Sequence, residues 1–456
     1  MAPLTLTVTG RASKRGLIPR QPPADRLIAG IETWLRLEYP DLVRSSRTRT
    51  SSTGARELLV GLHPAGEEFS ITASEEGDVT VSALLAPVGP GYQTFVARLA
   101  QRIGLEHEIT WTSSGAEDAA EPDLAAAGDR TSVEQSYLTW LGSALIAARD
   151  ARRRGIGDIQ LGTPAGVIFA FDGAIATSLG PRDDAWLEAA LADSRLALDI
   201  TPWWADATDA RCFLNRALCL MWTDVRWRQP VDDGEKAIHE EVIRLLSRAF
   251  PLDPSLPYPW REWKQLTSFR GTADAMTRQV ETRAARAPNG PLIGYRRAPV
   301  RILHEGWELE IPGGFSERRT EDEWWGAEAG RSITLAATQT GTVAGPMSAD
   351  DFLLQVAPDL GHDALTHRSG ELVGRARIST DASSGVEVGV LEGFSAVRGR
   401  GAAIRIVFDD SADWQWALDM WRALAPAGRG GFAATQESTT ARGSVRPVSR
   451  QASQLA

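Results

Sequence analysis

The stretch from Ser113 to Arg130 contains few large apolar side chains and cannot contribute to a hydrophobic core. Alanine, glutamate and aspartate dominate it, a composition typical of a flexible acidic linker. A second break lies between Pro288 and Pro291, where proline and glycine interrupt the pattern. Since a chain of 456 residues has the length of about three domains, we expect the two breaks to separate three cores.

The apolar periodicity differs between the segments that these breaks define. The fold class that it predicts is α+β and multidomain: a small α+β N-terminal domain, a mainly helical middle domain, and a C-terminal antiparallel-sheet domain with two helices. The predicted boundaries are a disordered basic arm at 1–23, the small α+β domain at 24–112, the acidic flexible linker at 113–130, the mainly helical domain at 131–287, the C-terminal α+β domain at 296–426 and a disordered tail at 427–456.

Helical and strand periods alternate in the first domain. An apolar stripe that begins at Leu27 has helical spacing, and three runs between Leu58 and Ala83 alternate with period two, as half-buried strands do. In the middle domain Thr131 and Glu134 have the spacing of a capping box. The helix that they start is followed by further helical patterns, so this domain is expected to be mainly helical.

The third domain alternates apolar and polar residues in several runs, with one helix after Ser348 and a last helix before Pro426. Its opening run, Gly306 to Phe315, reads Gly-Trp-Glu-Leu-Glu-Ile-Pro-Gly-Gly-Phe. This order, between Arg296 and Ala425, resembles the PsbP/DcrB-like fold, whose domains often begin with an apolar strand ending in Pro-x-Gly-Phe. The resemblance implies a non-enzymatic assembly factor, lipoprotein or chaperone for secreted cargo. The resemblance covers only the third domain, and the first two domains have no corresponding part in that family.

Side chains with reactive nitrogen or sulfur are scarce in this chain. Lys14, Lys236 and Lys264 are the only lysines among 49 basic residues, and there are six histidines and two cysteines. Catalytic lysines, thiolates, imidazole bases and metal clusters all draw on these residue types. Cys212 and Cys219 lie in a predicted helix at a spacing of about 10 Å, too far for a disulfide. The composition favours a binding protein without cofactor or metal over an enzyme.

One segment resembles a catalytic motif. Val167 to Leu179 reads as an apolar strand followed by Ala170-Phe-Asp172-Gly, similar to the Asp-x-Asp-Gly motif of haloacid-dehalogenase-type phosphatases. That chemistry needs the first aspartate as its nucleophile, and alanine stands in its place. The segment is therefore interpreted as a buried strand closed by an Asp-Gly turn, with a degenerate phosphatase-like fold as the alternative.

Other polar clusters have both a functional and a structural interpretation. His362 and His367 lie near Asp359 and Asp363, a spacing that could hold a metal but also suits a solvated loop. Paired carboxylates for a hydrolase could come from two acidic clusters. These are Asp232, Asp233, Glu235 and Glu321, Asp322, Glu323. Helix N-termini and exposed turns favour the same residue types.

Tryptophan is the strongest positive signal, with 16 residues against five tyrosines. Helical stripes predict a core position for four of them, Trp140, Trp222, Trp414 and Trp421. Because adjacent strand residues point to opposite faces, one ring of a doublet must meet another domain, a partner or solvent. Tryptophan is enriched at binding hot spots. The candidate partner-binding residues are therefore the paired ones, Trp203, Trp204, Trp260, Trp263, Trp324 and Trp325, with interdomain packing and a small-ligand platform as alternatives.

Charge and composition complete the functional expectation. The net charge of −10 argues against nucleic-acid binding. Arginine outnumbers lysine by 46 to 3, as in GC-rich bacterial genomes, and the sequence lacks a leader-like start, so we expect a cytoplasmic bacterial protein. We expect a non-catalytic adaptor, chaperone or structural subunit that binds a protein partner and no cofactor. The alternatives are a carboxylate-dependent hydrolase or degenerate phosphatase-like protein, and a small-ligand or glycan binder.

Overall fold

The chain forms three packed units in the expected order: a sheet unit, a mainly helical unit and a second sheet unit. Helices and mostly antiparallel sheets confirm the multidomain α+β fold class. The computed structural model describes residues 4–14, 22–51, 54–112, 129–171, 173–205, 208–271, 274–320, 322–339, 341–342, 345–360, 364–382, 387–428 and 431–433.

The first unit packs two helices on a six-stranded antiparallel sheet. Its elements are β1 (Thr5–Ala12), α1 (Ala24–Glu38), β2 (Ser45–Thr50), β3 (Arg56–Gly61), β4 (Phe69–Ala73), β5 (Asp78–Leu84), α2 (Pro90–His107) and β6 (Ile109–Thr112). The strand order is β2-β3-β4-β5-β1-β6. Alternate strand residues and the inner faces of both helices form one core, which confirms the helix and strand periods predicted for this segment.

The N-terminal segment differs from the expected disordered arm. Thr5–Ala12 is β1, which lies inside the sheet between β5 and β6. Leu6 and Val8 are buried, whereas Thr5 and Thr9 face solvent. The arm prediction is wrong for these residues, because small apolar residues alternating with threonine fill one side of a sheet without a long apolar run.

The second unit is mainly helical, as expected, but contains three short strands. Its elements are α3 (Arg130–Arg153), β7 (Asp158–Leu161), β8 (Val167–Ile168), β9 (Ile175–Thr177), α4 (Asp184–Ala192), α5 (Ala210–Thr223), α6 (Asp233–Leu252), α7 (Trp260–Arg270) and α8 (Ala275–Ala284). One core lies between α3, α4, β7 and β9. A second core lies among α5 to α8.

Aspartate side chains cap five helices of this unit. The start of α3 shows the pattern: Asp129, not Thr131, accepts a hydrogen bond from the Ser132 N–H at 3.2 Å. Such a cap satisfies an amide of the first turn and complements the helix dipole. The same role falls to Asp183, Asp209, Asp232 and Asp274. Residues 113–128 of the predicted linker lie outside the described residues.

The third unit is built on a seven-stranded antiparallel sheet. Its elements are β10 (Val300–His304), β11 (Trp307–Ile311), β12 (Ser316–Arg319), β13 (Glu323–Glu328), β14 (Arg331–Gln339), β15 (Gly341–Thr342), β16 (Gly345–Pro346), α9 (Ala349–Val356), β17 (Leu365–Ser369), β18 (Leu372–Asp381), β19 (Val388–Val397), β20 (Arg400–Phe408), α10 (Trp414–Ala423), β21 (Ala425–Pro426) and β22 (Gly431–Ala433). The order in the large sheet is β12-β13-β14-β20-β19-β18-β17. One face packs against α10 and the β10–β11 hairpin. The predicted sequence of strands, helix, strands and helix is confirmed.

Two strand pairings cross the predicted border between the middle and C-terminal domains. β8 pairs with β10, and β22 pairs in parallel with β7. Gly431–Ala433, which was expected to belong to a disordered tail, is therefore a strand, while residues 434–456 lie outside the described residues. Short strands depend on distant partners for their hydrogen bonds, and local periodicity does not register such partners.

A buried ion-pair cluster joins the second and third units. Glu317 on β12 lies 2.7 Å from a guanidinium nitrogen of Arg296 and 3.2 Å from one of Arg226. Its second oxygen accepts a hydrogen bond from the Trp324 indole at 3.1 Å. These contacts position β12 and β13 on the helical unit.

Beside Glu317, the guanidinium of Arg228 makes a second, partly buried bridge. It donates to both carboxylate oxygens of Glu235 on α6, at 2.7 and 2.9 Å, and to Glu328 at 3.1 Å. The Ser316 hydroxyl donates to Glu235 at 2.6 Å. The start of α6 is thus fixed to the edge strand of the large sheet.

Asp41 joins the first unit to the second. Its carboxylate accepts from Arg244 at 3.0 Å and pairs with Arg248 at 2.9 Å, and its backbone carbonyl accepts from Arg216 at 3.1 Å.

Cys212 and Cys219 are buried and free in α5, as predicted. Among the described residues, none of the helices is both long and apolar enough to cross a membrane.

Candidate functional site

Trp324 and Trp325 on β13 point to opposite faces of the large sheet, as predicted for a doublet in a strand. Trp324 is fully buried in the core, and its indole nitrogen donates to Glu317. Trp325 is half-buried on the other face. The outer indole of this doublet therefore reaches solvent.

A row of six side chains crosses the sheet through Trp325. Strand register places its members opposite one another in the order Arg318, Trp325, Thr334, Arg405, Glu392 and Arg377. We call this set the transverse row. Because neighbouring strands lie about 4.8 Å apart, the row is about 24 Å long. Its three arginines are exposed.

The charged members of the transverse row differ in their partners. The guanidinium carbon of Arg318 lies 5.3 Å from the ring centroid of Trp325, a cation–π distance. Arg377 donates to Glu392 at 2.6 Å. Arg405 lies between these pairs and has no hydrogen bond or ion pair within the described part of the chain. The row thus presents one aromatic ring and one unpaired cation.

Helix α9 covers one end of this sheet face, and Trp325 lies outside the part that it covers. Phe352 and Leu353 of α9 pack on Val373 and Ala396. Around Trp325 the same face carries small side chains, at Ala327, Ser332, Thr334, Ala336 and Ala403. Because these side chains are short, the indole projects from a flat surface. We call the transverse row with these small residues the open face.

The Trp203-Trp204 doublet also diverges, but inside the molecule. Trp203 is 1% exposed and lies among aromatic rings of the first unit, 5.2 Å from Phe95 and 5.9 Å from Tyr92 between centroids. Trp204 is half-buried against Tyr137 of α3. The doublet therefore links the first and second units, which is the interdomain alternative.

Trp260 and Trp263 lie on one face of a helix, α7. Their rings stack with centroids 5.4 Å apart at 11°. Trp263 is fully buried, and the half-buried Trp260 lies beneath Arg283 at 5.4 Å. The helix begins at Trp260, and the spacing of three residues places both rings together.

Burial divides the six candidate tryptophans into two groups. Buried indoles have no surface to offer a partner, so the partner-binding prediction is wrong for Trp203, Trp263 and Trp324. It stays a prediction for the half-buried rings, Trp204, Trp260 and Trp325. Of the four tryptophans expected in cores, Trp414 differs, since 50% of it is exposed on α10.

Two of the three carboxylates in the first acidic cluster, Asp232 and Glu235, make structural contacts. Asp232 caps α6 by accepting from the Glu235 N–H at 2.8 Å. Burial opposes the ionisation of Glu235, but hydrogen bonds from Ser316 and Arg228 outweigh it and hold the pKa of this carboxyl below its usual value. A general acid needs a raised pKa. Glu235 is therefore not suited to the general-acid role in the hydrolase alternative.

Several residues of the other motifs lie outside the described residues, namely Asp172, Glu321, His362 and Asp363. Within the described residues, no group of three or more His, Cys, Asp or Glu side chains is arranged to hold a metal ion. In the phosphatase-like segment, Val167–Ile168 is β8 and Phe169 is buried. The described part of this segment fits a buried strand.

Three buried histidines resist protonation. Burial lowers the pKa of His63, His239 and His304, and the charge of Arg216 lowers that of His63 further. A histidine whose folded pKa lies below its unfolded value of about 6.5 contributes stability above that pH and loses it as the pH falls. From pH 7 to 5.5 we expect the free energy of unfolding to drop by about 1 kcal/mol for each histidine that stays neutral.

Urea titrations of the protein at the two pH values measure this loss. The His63→Leu variant is the internal control, because it removes one titrating group while keeping the position apolar. Its stability should fall by about 1 kcal/mol less than that of the wild type over the same pH interval. An identical pH dependence of both proteins would show that His63 does not contribute.

A solved structure is similar to part of this chain. It is a protein from Bacteroides thetaiotaomicron VPI-5482 with no stated function, at 8% sequence identity and a TM-score of 0.24. The match covers 27% of this chain and 46% of that chain, so this chain spans less than half of its length. No protein-family model and no curated protein matches.

Proposed function

We propose that this protein is a non-catalytic binding component of a bacterial protein assembly, acting as an adaptor, chaperone or structural subunit, and that its partner binds the open face. The observation that carries this proposal is the half-buried Trp325 indole on the same sheet face as the unpaired Arg405, which lies two strands away across Thr334. Tryptophan and arginine are the residue types that dominate binding hot spots. The proposed PsbP/DcrB-like character of this unit implies the same kind of role.

The charges of the open face favour an acidic protein as the partner. Arginines 318, 375, 377 and 405 lie on this side of the sheet with three acidic residues, Glu323, Asp381 and Glu392, although the whole chain has a net charge of −10. A phosphate backbone would meet both glutamates beside those arginines. A protein surface can place a basic side chain against each glutamate and acidic ones against the arginines.

The proposal is tested by comparing three variants in affinity purification from the native host. We expect partners recovered with the wild type to be lost with Trp325→Ala and with Arg405→Glu, each of which should weaken binding about thirtyfold. Trp414→Ala is the matched control, because it removes another exposed indole, on α10. Mass spectrometry at near-physiological salt measures the recovered proteins.

The difference between the variants is what supports the proposal, since capture alone does not locate a site. All three variants should unfold at the same urea concentration as the wild type, because the altered side chains are partly or fully exposed. Equal recovery with Trp325→Ala and Trp414→Ala contradicts a role of the open face. Recovery of nucleic acid in place of protein contradicts the proposed partner class.

A further inference from the structure

The start of α6 borders a cavity of about 370 Å³. None of the residues that line it belongs to the open face. This volume lies near the lower end of the range of small-molecule sites. Val231, Ile243 and Phe269 give the cavity apolar walls, and His239 and Lys236 are polar members of its lining. Its size and mixed lining suit a small organic molecule.

His239 is the buried polar group of this cavity. Its side chain is 4% exposed and its ring stacks on Phe269, with centroids 5.7 Å apart. Neither ring nitrogen makes a hydrogen bond of ordinary geometry among the described residues, although the Arg226 carbonyl lies near the ring. Burial keeps the imidazole neutral, so it offers one donor and one acceptor. Since buried polar atoms normally have partners, a ligand group in the cavity would supply one.

Charges of both signs surround His239 and are loosely paired. Asp233 is exposed and has no partner among the described residues. Lys236, one turn further along α6, reaches Glu240 only at 4.0 Å, and Arg270 reaches Asp274 only at 3.8 Å. Because helix residues three or four apart are neighbours, Asp233 and Lys236 face the cavity together.

We propose that this cavity binds a small zwitterion, a free α-amino acid with an apolar side chain. The ammonium of the ligand pairs with Asp233, its carboxylate pairs with Lys236, and its side chain lies on Ile243 and Phe269. His239 makes a hydrogen bond to the polar end. A ligand with a single negative charge would lie beside Asp233, and one with a single positive charge would lie beside Lys236, whereas a zwitterion can pair with both.

Titration calorimetry of the full chain with L-leucine tests the proposal. We expect millimolar or tighter binding of L-leucine and at least about tenfold weaker binding of leucinamide and of N-acetyl-leucine, which lack one charge each. Asp233→Asn and Lys236→Met should each weaken leucine binding by about tenfold. Lys264→Met is the matched control, because Lys264 is exposed on α7 and does not line the cavity; it should bind leucine like the wild type.

The ring resonances of His239 in the wild type should shift on leucine addition, which locates the ligand without a substitution that could prevent folding. Absence of heat and of resonance shifts with L-leucine, L-methionine and L-phenylalanine at millimolar concentration overturns the proposal. Equal affinity for leucine and leucinamide also overturns it, because the carboxylate would then not be recognised. Trp325→Ala should bind leucine normally, so this test is independent of the open face.

Discussion

The Glu317→Ala variant is expected to lose about 3–5 kcal/mol of the free energy of unfolding. Glu317 is 12% exposed, and its two cationic partners, Arg296 and Arg226, are 5% and 10% exposed. Without the carboxylate, two largely buried guanidinium groups lose the carboxylate with which they form ion pairs, and the Trp324 indole loses its hydrogen-bond acceptor. Desolvation makes such a broken pair far more destabilising than a broken surface pair.

Urea titration at pH 7 measures the effect, and Glu392→Ala is the control. Glu392 pairs with Arg377 at the surface, where the two side chains are 34% and 51% exposed, so its removal should change stability by less than about 1 kcal/mol. A loss for Glu317→Ala as small as that of the control would contradict the role of the buried cluster in joining the second and third units.

The pH dependence supplies a second test of the same cluster. Burial opposes the ionisation of Glu317, but Arg296 and Arg226 outweigh it and hold the pKa of this carboxyl below its usual value. A carboxyl with a depressed folded pKa contributes stability above its unfolded pKa and loses it as the pH falls through the folded value. The wild type should therefore lose stability in acid more steeply than Glu317→Ala.

Local patterns predicted the parts of the fold that local chemistry determines. Strand alternation predicted that one indole of the Trp324-Trp325 doublet would lie outside the core, and the structure buries Trp324 and leaves Trp325 half-buried on the other face. The helical stripe of α10 likewise predicted a buried Trp421. Trp414 is the first residue of that helix and is 50% exposed, and periodicity alone does not reveal where the buried part of a stripe begins.

Contacts between distant segments escaped prediction because they leave no local signal. Arg226 and Glu317 are separated by 91 residues, and each has ordinary neighbours in the sequence. The transverse row is also a product of register: Arg318, Trp325 and Arg405 become neighbours only once β12, β13, β14 and β20 pair. The indole of the candidate site was predictable, whereas the cations beside it were not.

Glycine at position 313 is expected to be as necessary as Glu317, for a steric reason. A Cβ atom on Gly313 would overlap the backbone carbonyl oxygens of Ala298 and Arg296, and backbone atoms cannot rotate away as the end of a flexible side chain can. This close approach gives a physical reason for the Pro-Gly-Gly-Phe sequence that ends the opening run of the third unit. It also holds Arg296 beside Glu317.

Gly313→Ala should therefore lose about 3 kcal/mol or more of the free energy of unfolding, because the chain must shift where two units join. Gly142→Ala is the matched control: Gly142 lies within α3, where a Cβ would meet no atom within 4 Å, so alanine should stabilise the helix by about 0.5–1 kcal/mol. The same added methyl group is thus expected to lower the free energy of unfolding at position 313 and to raise it at position 142, because the two environments differ. A urea titration in which both variants move in the same direction would show that the carbonyls of Arg296 and Ala298 can yield, and that this junction is less rigid than its contacts imply.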